Sequence, residues 1–123
     1  MIPRAIASLM IFGLLQSSPV LAETPIAAQV EVNFLLGYVE GSGCAFNRNG
    51  SWYDSSQAQA HLRDKYRYLA ARNQINTAED FIERAASKSS FSGRDYTVKC
   101  GDGVTMPSGL WLNGELARLR TYE

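Results

Sequence analysis

The sequence predicts a mostly helical α+β domain of four helices, with a small β-hairpin after the first helix, a short strand before the last, and one disulfide. Three observations predict it. Apolar side chains recur at helical spacing over four separate stretches. Asn49-Gly50 stands between two short aromatic-bearing runs, the strongest short-range hairpin signal. Cys44 and Cys100 are the chain's two cysteines.

Residues 1–22 read as a secretory signal peptide, with Arg4 in the positive region, Ala5 to Leu15 as the apolar stretch, and Val20 and Ala22 as the small residues before a cleavage site. A membrane anchor would need roughly 18 or more apolar residues, and Gln16-Ser17-Ser18-Pro19 interrupts this run. Cleavage after Ala22 leaves residues 23–123 as a single small exported domain with no membrane anchor. It removes Arg4 from the 12 basic side chains and leaves 11 against 12 acidic ones. Such a balance argues against a nucleic-acid partner, which calls for a basic face. In an oxidising compartment the two cysteines are expected to pair. Closing a loop of this length is worth at most about 4 kcal/mol. A catalytic thiol would need a nearby base and an unpaired Cys. A zinc site would have only His61 to add to the two thiols, in a spacing that matches no zinc pattern.

From Pro25 to about Glu40, Ile26, Val30, Phe34 and Tyr38 recur every four residues beside Leu35 and Val39, which predicts a helix with that stripe on the core. Thr24 is placed to cap it, Pro25 to open it, and Gly41 to end it in a left-handed conformation. Cys44-Ala45-Phe46 and Ser51-Trp52-Tyr53 flank Asn47-Arg48-Asn49-Gly50, so a tiny hairpin should carry Arg48 near its tip. Asn49-Gly50-Ser51 also spells a glycosylation sequon, which matters only where a secretory pathway reads it. Asp54 with Gln57 forms a variant capping box, and Ala58, Leu62, Tyr66 and Leu69 give one face of a helix reaching about Asn73. Thr77 caps a third helix with Phe81, Ile82, Ala85 and Ala86 buried, paired antiparallel with the second across a short loop. Tyr96 to Cys100 alternates as a strand, Gly101-Asp102-Gly103 turns the chain, and Val104 to Met106 can pair back. Pro107 and Ser108 open the last helix, whose stripe is Leu110 or Trp111, Leu112, Leu116 and Leu119.

Chemistry-bearing residues are sparse. His61 is the chain's single histidine and shares a helical stripe with Lys65, Tyr68 and Arg72, a pattern that a solvated helix face also produces. If the hairpin folds over this helix, Arg48, Trp52, His61 and Lys65 form a cationic, aromatic-walled pocket suited to a carboxylate, phosphate or sugar. Ser87, Ser89, Ser90 and Ser92 lack the Gly-x-Ser-x-Gly elbow and the Ser-x-x-Lys pairing of known nucleophiles, and serines after a helix commonly cap and turn. Glu79, Asp80 and Glu83 are explained by a helix start. Gly101-Asp102-Gly103 has one acid where a calcium loop needs six to eight oxygen ligands. No cofactor or metal is expected.

The chain resembles the YfeK-like proteins, small uncharacterised exported proteins of Gram-negative bacteria assigned to a domain of unknown function. The resemblance is carried by Ser42-Gly43-Cys44 with Phe46, Arg48-Asn49-Gly50 through Tyr53, His61-Leu62-Arg63 with Lys65-Tyr66, and Thr77-Ala78-Glu79 with Phe81-Ile82. It continues through Ala86 to Ser90, Ser92-Gly93, Tyr96, Val98, Cys100 to Gly103 and Trp111-Leu112. It implies a periplasmic location and a two-cysteine domain, and brings no activity, substrate or catalytic residue.

The leading expectation is therefore a non-enzymatic periplasmic binding or interaction module built on Arg48, Trp52, His61 and Lys65. Its partner would be a periplasmic protein, a glycan or a small anionic ligand. One alternative is a small envelope hydrolase or transferase using His61 with a hydroxyl from Ser87 to Ser92. Another is a structural or stress-related envelope protein that docks through an apolar face around Trp111.

Overall fold

The computed structural model describes residues 23–122; the signal-peptide reading falls on residues 1–22 and lies outside them. Four helices and one antiparallel sheet alternate along the chain: α1 (Ile26–Gly41), β1 (Ala45–Arg48), β2 (Ser51–Tyr53), α2 (Ser55–Ala70), α3 (Ala78–Phe81) running into a π-helical turn (Ile82–Ala86), β3 (Thr97–Lys99), β4 (Thr105–Pro107) and α4 (Ser108–Arg120). The α+β class and the hairpin follow the sequence reading, and the sheet has four strands in the order β2-β1-β3-β4.

Local signals built most of these elements. Asn49 and Gly50 both take positive φ, 53° and 86°, the geometry of a two-residue hairpin turn whose twist suits the strands. Asp54 and Gln57 form the reciprocal capping box of α2, and Thr77 with Asp80 forms that of α3. α2 stops at Ala70, short of Asn73, because Asn73 turns left-handed and the Asn73 and Gln74 amides reach back to Ala70 and Leu69.

α1 departs from its expected phase. Ala28, Val32, Leu35, Leu36 and Val39 are buried, while Ile26, Val30 and Phe34 are 78%, 61% and 39% exposed. The helix carries two apolar stripes, and the core takes the wider one, which presents two adjacent leucines and two valines. Two caps also differ from expectation. Thr24 makes no capping bond, and its buried hydroxyl has no partner among the described residues. Gly41 stays helical, and Gly43 is the left-handed residue that turns the chain into β1.

Sheet register places the rest. Phe46 pairs with Tyr53 and with Val98, which pairs with Met106. Because side chains alternate across a sheet, Phe46, Arg48, Ser51, Tyr53 and Val98 share the face toward the helices, and Asn47, Trp52, Thr97 and Lys99 share the outer face. Ala45 pairs with Lys99, so Cys44 and Cys100 stand opposite each other one step beyond the ladder and are joined, with Cα atoms 4.4 Å apart. Phe81, Ile82, Leu35, Leu36, Ile75 and Leu112 fill the centre of the core. Trp111 is half-buried against Tyr38 and Phe46, with ring centroids 4.7 and 5.6 Å away, whereas Leu110 is exposed. Arg120 ties the end of α4 to Glu31 of α1 and Glu79 of α3.

Candidate functional site

Three sequence-distant segments converge between the hairpin, α2 and the loop before β3. Arg48 ends β1 on the helix-facing side, and its guanidinium lies 4.6 Å over the ring of Tyr53 across the hairpin, a cation–π contact. His61 and Lys65 are one helical turn apart on α2, so their side chains project side by side. Tyr96, one residue before β3 and on the same parity as Val98, brings its hydroxyl between them. Its oxygen is 3.2 Å from His61 Nε2 and accepts a 3.2 Å hydrogen bond from Lys65 Nζ. Lys65 Nζ also donates to the Lys88 carbonyl at 2.8 Å, which fixes the ammonium at the edge of the site.

The loop from Lys88 to Asp95 forms the remaining wall. Its ends pair as an isolated antiparallel bridge, and Gly93 takes φ +72°. The Ser89 hydroxyl is the hub: it accepts from the amides of Phe91 and Ser92 and from Asn49 Nδ2. Ser92 Oγ donates in turn to Asn49 Oδ1. The hairpin tip is thereby latched to the loop. Phe91 stands at the loop's crest with 98% of its surface exposed.

Two adjoining cavities result. The outer one is an open depression of about 470 Å3, lined by Arg48, His61, Lys65, Ser89, Ser90 and Phe91, among others. The inner one is a narrow slot of about 30 Å3 between the hairpin and α2, walled mainly by Phe46, Tyr53, Ala58 and Leu62, with Asn47, Gln57 and Ser108 also lining it. Arg48, Tyr53, His61 and Tyr96 border both. Within the outer depression no Asp or Glu is a lining residue, and neither Arg48 nor Lys65 has an ion-pair partner among the described residues.

Burial and mutual repulsion set the protonation. Burial first, then the charges of Arg48 and Lys65, push the His61 imidazole below its ordinary pKa, against a small opposing pull from Asp64. Burial and Arg48 likewise push the Lys65 ammonium down. Burial raises the Tyr96 hydroxyl, with Arg48 opposing. At neutral pH His61 is therefore uncharged and Tyr96 protonated.

Of the four residues proposed from sequence, the fold brings Arg48, His61 and Lys65 to one depression and places Trp52 elsewhere. Trp52 pairs with Asn47, lies on the outer face of the sheet, and has Lys99 Nζ 4.9 Å from its ring centroid. Tyr53, Tyr96 and Phe91 supply the aromatic walls instead. Among the serines, Ser87 Oγ donates to the Ile82 carbonyl and Ser89 Oγ is the loop hub. The imidazole's side-chain hydrogen-bond partner is Tyr96. Among the described residues no three His, Cys, Asp or Glu side chains gather as a metal site, and no helix is long and apolar enough to cross a membrane.

Comparison with known proteins decides the family. Residues 26–120 match the profile described as a family of unknown function, DUF5329. The chain belongs to this family. It is also 34% identical over 87 residues, covering 70% of this chain and 71% of the relative, to the uncharacterised protein YfeK of Salmonella typhimurium. No solved structure matches. The family match spans every element from α1 to α4, so the disulfide, the latched hairpin and the cationic depression all lie within the shared domain.

Proposed function

We propose that this protein is a non-enzymatic periplasmic binding module whose depression between the hairpin, α2 and the Ser89 loop takes a small anionic ligand. One observation carries the reading: Arg48 and Lys65 share an open depression with no carboxylate lining it. Partly desolvated cations without an internal counter-charge cost free energy that a bound oxyanion offsets, and both present N–H donors in geometries suited to carboxylate or phosphate. The Tyr96 and Lys88 contacts hold Lys65, and the Tyr53 ring supports Arg48, before any ligand arrives. The Cys44–Cys100 bond suits an oxidising compartment, in agreement with the export signal read in residues 1–22.

The reading is tested by NMR titration of the disulfide-bonded protein with inorganic phosphate and with acetate. Amide shifts should concentrate on Arg48, His61, Lys65 and Tyr96, and should vanish in Arg48→Gln and Lys65→Gln variants that keep the wild-type melting temperature. Absence of localised shifts with either anion overturns it. The location is checked by osmotic shock, which should release the mature chain, cleaved after Ala22, with the periplasmic contents.

A hydrolase reading has one observation on its side, since Ser89 and Ser90 line the same depression as His61. Ser89 is engaged as the loop hub, so Ser90 is the hydroxyl it would use. A fluorophosphonate probe that leaves Ser90 unlabelled at high excess refutes it.

A further inference from the structure

The outer depression and the inner slot are one continuous feature of opposite chemistries. Arg48, Tyr53, His61 and Tyr96 border both, with Arg48 and Lys65 outside and Phe46, Ala58 and Leu62 within. An inorganic anion would satisfy the mouth and leave the slot and Phe91 without a role. Phe91 gains no burial from the fold, yet the backbone that presents it is fixed. Its own amide and that of Ser92 are fixed on Ser89 Oγ, the Ser89 amide donates to the Arg94 carbonyl, and the Gly93 amide donates to the Ser89 carbonyl, both at 2.9 Å. The loop thus presents an apolar ring at the rim of a cationic depression.

Resting on the anion-binding reading above, we infer that the ligand is a small amphiphilic anion, an oxyanion head carrying a slim unbranched apolar tail. The head lies between Arg48 and Lys65, where the donors converge. The tail passes under the Tyr53 and Tyr96 rings into the slot against Ala58 and Leu62, and Phe91 covers its exposed first carbons. A bicyclic tail is excluded by the slot's volume of about 30 Å3. A sugar is disfavoured for the slot, because its surface is predominantly apolar although Asn47, Gln57 and Ser108 also line it, and a sugar's many hydroxyls would be left largely unpaired there.

The test is a chain-length series on the purified disulfide-bonded protein at pH 7.5: acetate, butyrate, hexanoate and octanoate, each by calorimetric titration, beside inorganic phosphate. Each methylene entering the slot should tighten binding about fourfold, the factor equivalent to roughly 0.8 kcal/mol per buried CH2, until the slot is full and the gain stops. Arg48→Gln should weaken every member by a similar factor, and Phe91→Ser, at an exposed position that no fold contact needs, should weaken hexanoate while leaving inorganic phosphate unchanged. Acetate, phosphate and hexanoate binding with equal affinity would overturn the amphiphile and leave the anion site intact. No binding by any of them would overturn both. A chain-length gain that survives Arg48→Gln paired with Lys65→Gln at full strength would show that the tail is bound somewhere other than this mouth, and would overturn the inference as well.

Discussion

Replacing Cys44 and Cys100 together by alanine separates what the cross-link does from what the sheet does. The two residues are 56 apart in sequence, and the chain-entropy relation for a loop of that length gives about 4 kcal/mol, with residual structure in the unfolded chain lowering it toward about 2 kcal/mol. Alanine is the right replacement because Cys44 is buried and alanine brings no new polar group there. For a domain near 100 residues, each kcal/mol moves the melting temperature by roughly 4–5 °C, so the variant should melt about 8–20 °C lower. Urea denaturation should show a reduced midpoint, and the slope should rise because an uncross-linked chain exposes more surface. The loss should reach the site: the bond closes the β1–β3 ladder that carries Arg48 on one strand and follows Tyr96 on the other, so phosphate shifts should weaken with it. A stability change below about 1 kcal/mol refutes this account and assigns β1–β3 cohesion to the register of Phe46 with Val98 and the core beneath it.

Other substitutions probe the remaining elements. A Cβ added at Gly109 would lie 2.4 Å from Ser87 Oγ, so Gly109→Ala should cost about 1–3 kcal/mol by denaturant titration, and adding Ser87→Ala should recover part of it because the next contact is 3.3 Å. The folded-state pKa of His61 is lowered, so the unfolded chain binds the proton more readily. Stability should hold above about pH 6.5, the unfolded value, and fall as pH drops through the folded value; His61→Gln should flatten that part of a melting-temperature profile. Ile26, Val30 and Phe34 line the solvent side of α1, so Val30→Lys should shift stability by no more than about 0.5 kcal/mol, whereas Val32→Lys, at a fully buried position, should prevent folding.

What could be read from sequence divides by range. The Asn49-Gly50 hairpin and the capping boxes at Asp54 and Thr77 depend on a few neighbouring residues, and the structure contains all three. The buried face of α1 depends on competition between two stripes, and spacing alone favoured the regular four-residue one over the wider set that packs. The π-helical turn after Phe81 has no local signature. It sits where α4 approaches closely, with Gly109 against Ser87. Trp52 is a different case. A two-residue turn pairs Arg48 with Ser51 and Asn47 with Trp52, which puts Arg48 and Trp52 on opposite faces by parity alone. The same parity, counted from buried Val98, points Tyr96 inward. Those two signals were present in the residues, and only the pairing register was needed to use them.

The site is inseparable from the fold in a way that bears on its chemistry. α2 buries Ala58 and Leu62 and places His61 and Lys65 beside them, so the helix face that packs and the face that lines the depression are neighbours on one rigid element. Asn49, held left-handed by the hairpin turn, spends its side chain on the Ser89 loop, so the turn that makes the hairpin also positions the rim. Tyr96 completes the arrangement: its amide donates to the Ser87 carbonyl and its carbonyl accepts from the Ser108 amide, each at 2.9 Å, while its hydroxyl meets Lys65 and His61. A residue anchored at both backbone ends and at its tip cannot swing to meet a ligand. The depression is therefore pre-organised for the anion proposed above, and replacing Tyr96 by Phe should lower that affinity by removing a restraint on Lys65 and His61 while leaving the backbone anchors, and hence the fold, in place.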